Sequence, residues 1–150
     1  MFNLFKKQQS VSHSYKNLTL ALPSAWEYEL EEGDLEACFD PKSQGTLRLH
    51  IIKAVSPENK TAEEDIKSLT SNEPYITTQN GYLLTNSTCT STTESGKNLT
   101  LISRRLINAK GKEKIIAVLT YTVLTAEKDN SQEKEVLNLI EESLKNAKLE

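Results

Sequence analysis

The chain has 150 residues, 37% apolar and 26% charged, with a formal net charge of −3. That length and balance fit one globular domain with a buried core, and exclude wholesale disorder, collagen-like repeats and Gly-rich linkers. The longest apolar run, Ile115–Leu119, falls far short of the about 20 residues a membrane helix needs, and a pI near 5.5 argues against nucleic acid as a partner.

At the N-terminus, Lys6 and Lys7 follow Phe2, Leu4 and Phe5, the reverse of a secretory leader. A flexible tail over residues 1–14, a single domain over 15–150 and a cytoplasmic location are therefore expected. Leu18, Leu20 and Leu22 alternate with Asn17, Thr19 and Ala21, a strand that Pro23 ends. Leu35, Ala37 and Phe39 alternate with Glu36, Cys38 and Asp40, and Leu47, Leu49 and Ile51 with Arg48, His50 and Ile52. The first-named residue of each pair is expected on a buried face, the second on a wet one, as in an antiparallel sheet covered on one side. Thr61 and Glu64 have capping-box spacing, and Ile66 and Leu69 continue a short helix over 61–71. Asn80–Gly81 is the favoured type I′ hairpin pair. Three long strands follow, over 82–93, 97–108 and 113–124. Eight of the eleven residues from Thr85 to Ser95 are Ser or Thr, so the first of these strands is expected over a thin or wet part of the core. The third is apolar on both faces and is expected to be central. Asn130 and Glu133 have the spacing of a second capping box, and Val136, Leu139, Ile140, Leu144 and Ala147 form one apolar stripe. Glu133, Glu135, Glu141, Glu142 and Lys145 are expected on the solvated side of that helix. The order predicts an α+β fold: a twisted antiparallel sheet of about six or seven strands, a short helix after the third, and a C-terminal helix packed on the sheet.

Leu22-Pro23-Ser24-Ala25-Trp26 after the first strand, the acidic stretch around Gly33, and Gly45-Thr46-Leu47-Arg48-Leu49 opening the third strand resemble the PsbP-like or Mog-type fold. The resemblance is close over about residues 17–52 and agrees elsewhere in element order. It implies a diverse set of mostly non-catalytic roles: a photosystem extrinsic subunit, a binder of the Ran GTPase, lipoproteins, chaperones for secreted toxins and uncharacterised bacterial domains. It implies a structural role for Trp26, plugging the open end of the sheet.

No catalytic signature is visible. There is no GxSxG elbow and no Gly-rich phosphate loop. His13 and His50 lie outside any ligand-spaced cluster, so no metal and no cofactor are expected and both imidazoles are read as solvated. Cys38 and Cys89 form no CxxC pair and are read as reduced, half-buried thiols. The charge pattern is more informative. Trp26–Asp40 holds seven acids and no base, and Lys97–Lys114 holds six bases against Glu113. Opposite local fields suit a protein partner through steering and register. The expected function is a non-catalytic, bacterial binding or adaptor protein of immunity-protein or secretion-chaperone type. Glu31, Glu32, Asp34, Arg104, Arg105, Lys110 and Lys112 are its expected contacts, and a monomer or weak homodimer its expected state. The alternative is a small-molecule-binding or enzymatic domain with a pocket between sheet and helix.

Overall fold

A computed structural model describes residues 9–150. In chain order it contains β1 (Ser10–Tyr15), β2 (Leu18–Pro23), β3 (Glu27–Glu31), β4 (Leu35–Phe39), β5 (Thr46–Val55), α1 (Ala62–Thr70), β6 (Tyr75–Thr77), β7 (Leu83–Thr85), β8 (Thr88–Glu94), β9 (Lys97–Asn108), β10 (Glu113–Leu124), α2 (Ser131–Lys145) and β11 (Lys148–Leu149). The fold is α+β and antiparallel, with the C-terminal helix on the sheet, as the alternation predicts. The strands form two sheets. The larger runs β3-β4-β5-β10-β9-β7-β6, with β8 also paired to β9, and the smaller runs β1-β2-β11.

The central position of β10 follows from its two apolar faces. It pairs with β5 from Glu113↔Val55 to Thr122↔Thr46 and with β9 from Ile115↔Asn108 to Leu124↔Leu99. Leu47, Leu49, Ala117, Leu119, Tyr121, Val123 and Leu106 form the floor of one core. Ile140 and Leu144 of α2, with Leu18, Leu20, Leu22 and Leu149 of the small sheet, cover it. Trp26 is also buried in this core.

Four local expectations are corrected. Residues 10–14, expected in the tail, lie in a strand, each paired with β2 from Ser10↔Pro23 onward; residues 1–8 lie outside the described residues. In β4 the expected alternation fails: Ala37 is buried as expected, but Glu36 and Cys38 are buried beside it, while Leu35 and Phe39 are half-buried. The pairings Cys38↔Leu47 and Glu36↔Leu49 place both residues over the core floor. At Asn80–Gly81 only Gly81 has positive φ, at 82°, so the turn is not type I′; the Ser95–Gly96 turn between β8 and β9, with φ of 51° and 78°, takes that form. Finally, α1 has its full capping box, with Thr61 and Glu64 bonded both ways at 3.1 Å, but α2 keeps only half of its box. Asn130 Oδ1 accepts from the Glu133 amide at 2.8 Å, while the Glu133 carboxylate turns inward instead of solvating the helix.

Glu133 is 2% exposed and accepts hydrogen bonds from Ser43 Oγ at 3.0 Å and from the Tyr121 hydroxyl. Burial first, and then this carboxylate, push the Tyr121 phenol well above its usual range.

Candidate functional site

The charged residues of the two opposed fields have different fates. Glu31 bonds Arg48 Nε at 2.7 Å on the outer face of the large sheet. Asp34, in the left-handed turn after Gly33, pairs with Lys16, which holds its carboxyl below the usual range. In the same turn Asp34 O accepts a hydrogen bond from the Tyr15 hydroxyl at 2.8 Å. Glu27, Glu29 and Glu32 are exposed and make no ion pair among the described residues. Between them Leu30 is 74% exposed. All four lie on or beside β3, which ends the large sheet and therefore presents unpaired backbone groups.

The basic residues are mostly drawn into the structure. Arg104 and Arg105 are consecutive on β9 and so point to opposite faces. Arg104 pairs with Glu141 of α2 and donates from Nε to Thr85 O at 2.8 Å. Burial lowers its pKa from the ordinary arginine value. Arg105 Nη1 donates to Ser71 Oγ at 2.6 Å and Leu69 O at 3.4 Å, tying the end of α1 to the sheet. Lys110 donates to Asn80 O and lies 5.0 Å over the Tyr82 ring. Lys112 is exposed at the β9–β10 turn. The fold thus does not gather Arg104, Arg105, Lys110 and Lys112 into one patch.

Between α2 and the large sheet lies a groove of about 650 Å³. Leu47, Ile102, Leu119, Tyr121, Leu137 and Ile140 line its apolar part, and the Arg104–Glu141 pair, Asn86 and Asn138 stand at its polar side. Cys89 also reaches it.

The cysteines are both free, Cys38 buried and Cys89 exposed, rather than both half-buried. They lie on strands four places apart in the large sheet, about 19 Å at ordinary strand spacing, which excludes a bridge. Burial, reinforced by Glu36, pushes the Cys38 thiol far above its usual range.

His13 is not a solvated tail residue. Its ring stacks on Tyr28 at 3.7 Å between centroids and 9° between planes, and its Nε2 bonds Glu36. Glu36 also accepts from Cys38 Sγ at 3.6 Å. The expectation that neither histidine joins a ligand cluster is therefore corrected for His13. The signal in the sequence was Glu36-x-Cys38, two polar groups on one face of a strand, masked by the more apolar Leu35, Ala37 and Phe39. His50 remains on the outer face beside Arg48.

No protein-family model and no curated protein sequence matches the chain. Solved structures match by shape. One is LpqN of Mycobacterium tuberculosis, described as involved in cell envelope biogenesis, at 15% identity and TM-score 0.60, covering 94% of this chain and 90% of that one. The Ran-binding protein Mog1p of Saccharomyces cerevisiae matches at 10% identity and TM-score 0.55, covering 95% and 96%. A chain from Bacteroides thetaiotaomicron matches at 15% identity and TM-score 0.57, and the present chain spans 45% of its length. The likeness is one of fold: the chain has the Mog1/PsbP-like architecture that the Leu-Pro-x-x-Trp segment suggests. Among the described residues no helix is long and apolar enough to cross a membrane.

Proposed function

We propose that this chain is a non-catalytic protein-binding domain whose contact surface is the acidic β3–β4 hairpin, and that its partner presents a basic surface. The carrying observation is Leu30, 74% exposed on an edge strand between Glu29 and Glu31, with Glu27, Glu29 and Glu32 free of ion pairs among the described residues. An apolar side chain ringed by charge supplies contact area at its centre and steering at its rim. The basic stretch is the weaker candidate because Arg104, Arg105 and Lys110 already satisfy internal acceptors. The Ran-binding description of one fold neighbour is consistent with a binding role for this architecture. Immunity-protein and secretion-chaperone roles are the two specific forms of this reading. The test is capture from native lysate with the wild-type chain and with Glu27→Lys, Glu29→Lys and Glu32→Lys combined. Loss of the captured protein supports the hairpin; an unchanged capture rejects it.

The groove under α2 favours a second reading, a small-molecule site. Its volume of about 650 Å³ lies within the range of known ligand pockets. Native mass spectrometry of the purified chain, and of Ile102→Trp to fill the groove, tests it: a co-purifying small molecule present in the first and absent from the second is the expected result under this reading.

A further inference from the structure

The small sheet and the large sheet meet where His13 of β1 faces Glu36 and Cys38 of β4. One ligand atom from each of the three residues lies within 4.8 Å of the others, and Glu36 Oε1 contacts both His13 Nε2 and Cys38 Sγ. The group is enclosed: Glu36 is 8% exposed and Cys38 0%, with His13 half-buried. A carboxylate withdrawn from water beside a thiol and an imidazole has a desolvation cost that a cation would offset. The stacked Tyr28 ring restricts the orientation of the imidazole. A second observation points the same way. The Tyr28 hydroxyl is buried and has no hydrogen-bond partner among the described residues, so polar capacity beside the cluster is unused.

We infer that His13, Glu36 and Cys38 form a three-ligand site for a borderline-soft divalent ion of the zinc class. One nitrogen, one oxygen and one sulfur donor suit zinc and cobalt, whereas magnesium and calcium call for oxygen ligands throughout. Three protein ligands leave a fourth position for water. Binding breaks the His13–Glu36 hydrogen bond, moves the imidazole proton to Nδ1 and releases the Cys38 Sγ proton to solvent, so an ion displaces at least one proton. Because the three ligands come from both sheets, the bound ion would fasten β1 to β4. The site shares no residue with the exposed set Glu27, Glu29 and Glu32, so the fate of one proposal does not decide the other.

Cobalt(II) titration of the reduced full chain carrying Cys89→Ser, which removes the exposed thiol, tests the site. The expected result is a thiolate-to-cobalt charge-transfer band that saturates at one equivalent, is bleached by zinc and is abolished by Cys38→Ser. His13→Gln and Glu36→Gln should each weaken binding at least about tenfold while leaving the circular dichroism spectrum unchanged. Should a variant fail to fold, proton release on adding zinc to the Cys89→Ser protein in weak buffer serves as the second measurement, and one or two protons per bound ion are expected. Absence of the band at one equivalent, its survival in Cys38→Ser, or zinc uptake without proton release would overturn the site.

Discussion

Gly45 stands immediately before β5, where the Tyr121 ring crosses the backbone. A Cβ there would land inside the phenol. Gly45→Ala must therefore displace Tyr121 from Glu133, and we expect a loss of about 1–3 kcal/mol in urea unfolding. Tyr121→Phe isolates the hydrogen bond itself. It leaves the buried carboxylate with the Ser43 hydroxyl as its one remaining hydrogen bond among the described residues, for an expected loss of about 1–3 kcal/mol near neutral pH. The pH dependence has a definite sign. The folded phenol holds its proton above the ordinary value of 10.0, so Tyr121 contributes its full stability below that pH and loses it as pH rises toward the folded value. The stability gap between wild type and Tyr121→Phe should thus shrink between about pH 7 and about pH 11, as read by urea unfolding at both. A thiol reagent offers a simpler check at this scale. In the metal-free native protein Cys89 should react rapidly and Cys38 only on unfolding, because the second thiol is enclosed and protonated.

Among the elements, α1 has the thinnest attachment. Thr70 is its one buried residue, and its C-terminal end is fastened to β9 by Arg105. Arg105→Ala should raise amide exchange throughout 62–70 while leaving the exchange of β9 and β10 near the wild-type rate, measured by native hydrogen exchange. Thr61→Ala should act on the same segment from its other end, at a cost of about 1 kcal/mol. Elements with a regular apolar period were legible in the sequence: β5, β10 and α2 each bury or pack the stripe their spacing marks, whereas in β9 Thr100 is buried and Leu99 and Leu101 are only half-buried. The missed strands lack such a stripe. In β1, Ser10, Ser12 and Ser14 alternate with Val11 and His13, and only Tyr15 is buried. In β3 the pattern is Glu-Tyr-Glu-Leu-Glu with no residue fully buried. These strands are held by pairing to their neighbours rather than by a buried face, a relation that no local window carries. The His13–Glu36–Cys38 cluster was hidden for the same reason. Its members come from two sheets, and the strand supplying His13 had no signature of its own.

At the scale of the molecule, Glu27, Glu29 and Glu32 lie on one sheet edge while most bases of β9 and its turn are engaged internally. An association steered by that edge should weaken steeply with ionic strength. With the captured partner in hand, the association rate should fall several-fold between low and physiological salt while the dissociation rate changes little, measured by stopped flow. The two sheets are also joined at the far end of the chain. Leu149 is fully buried, and its amide bonds the Tyr82 hydroxyl at 3.1 Å while its carbonyl accepts from Asn108 Nδ2 at 2.7 Å. Through β11 it also completes the small sheet against Leu18 and Thr19 of β2. Synthesis delivers these residues more than a hundred positions after the strand they complete. Until residue 149 has left the ribosome, every nascent chain carries a β1–β2 hairpin with one bare edge and no lid over its leucines. The interval between translating Leu18 and translating Leu149 is therefore a window in which the hairpin depends on being shielded from other chains, and β11 closes it.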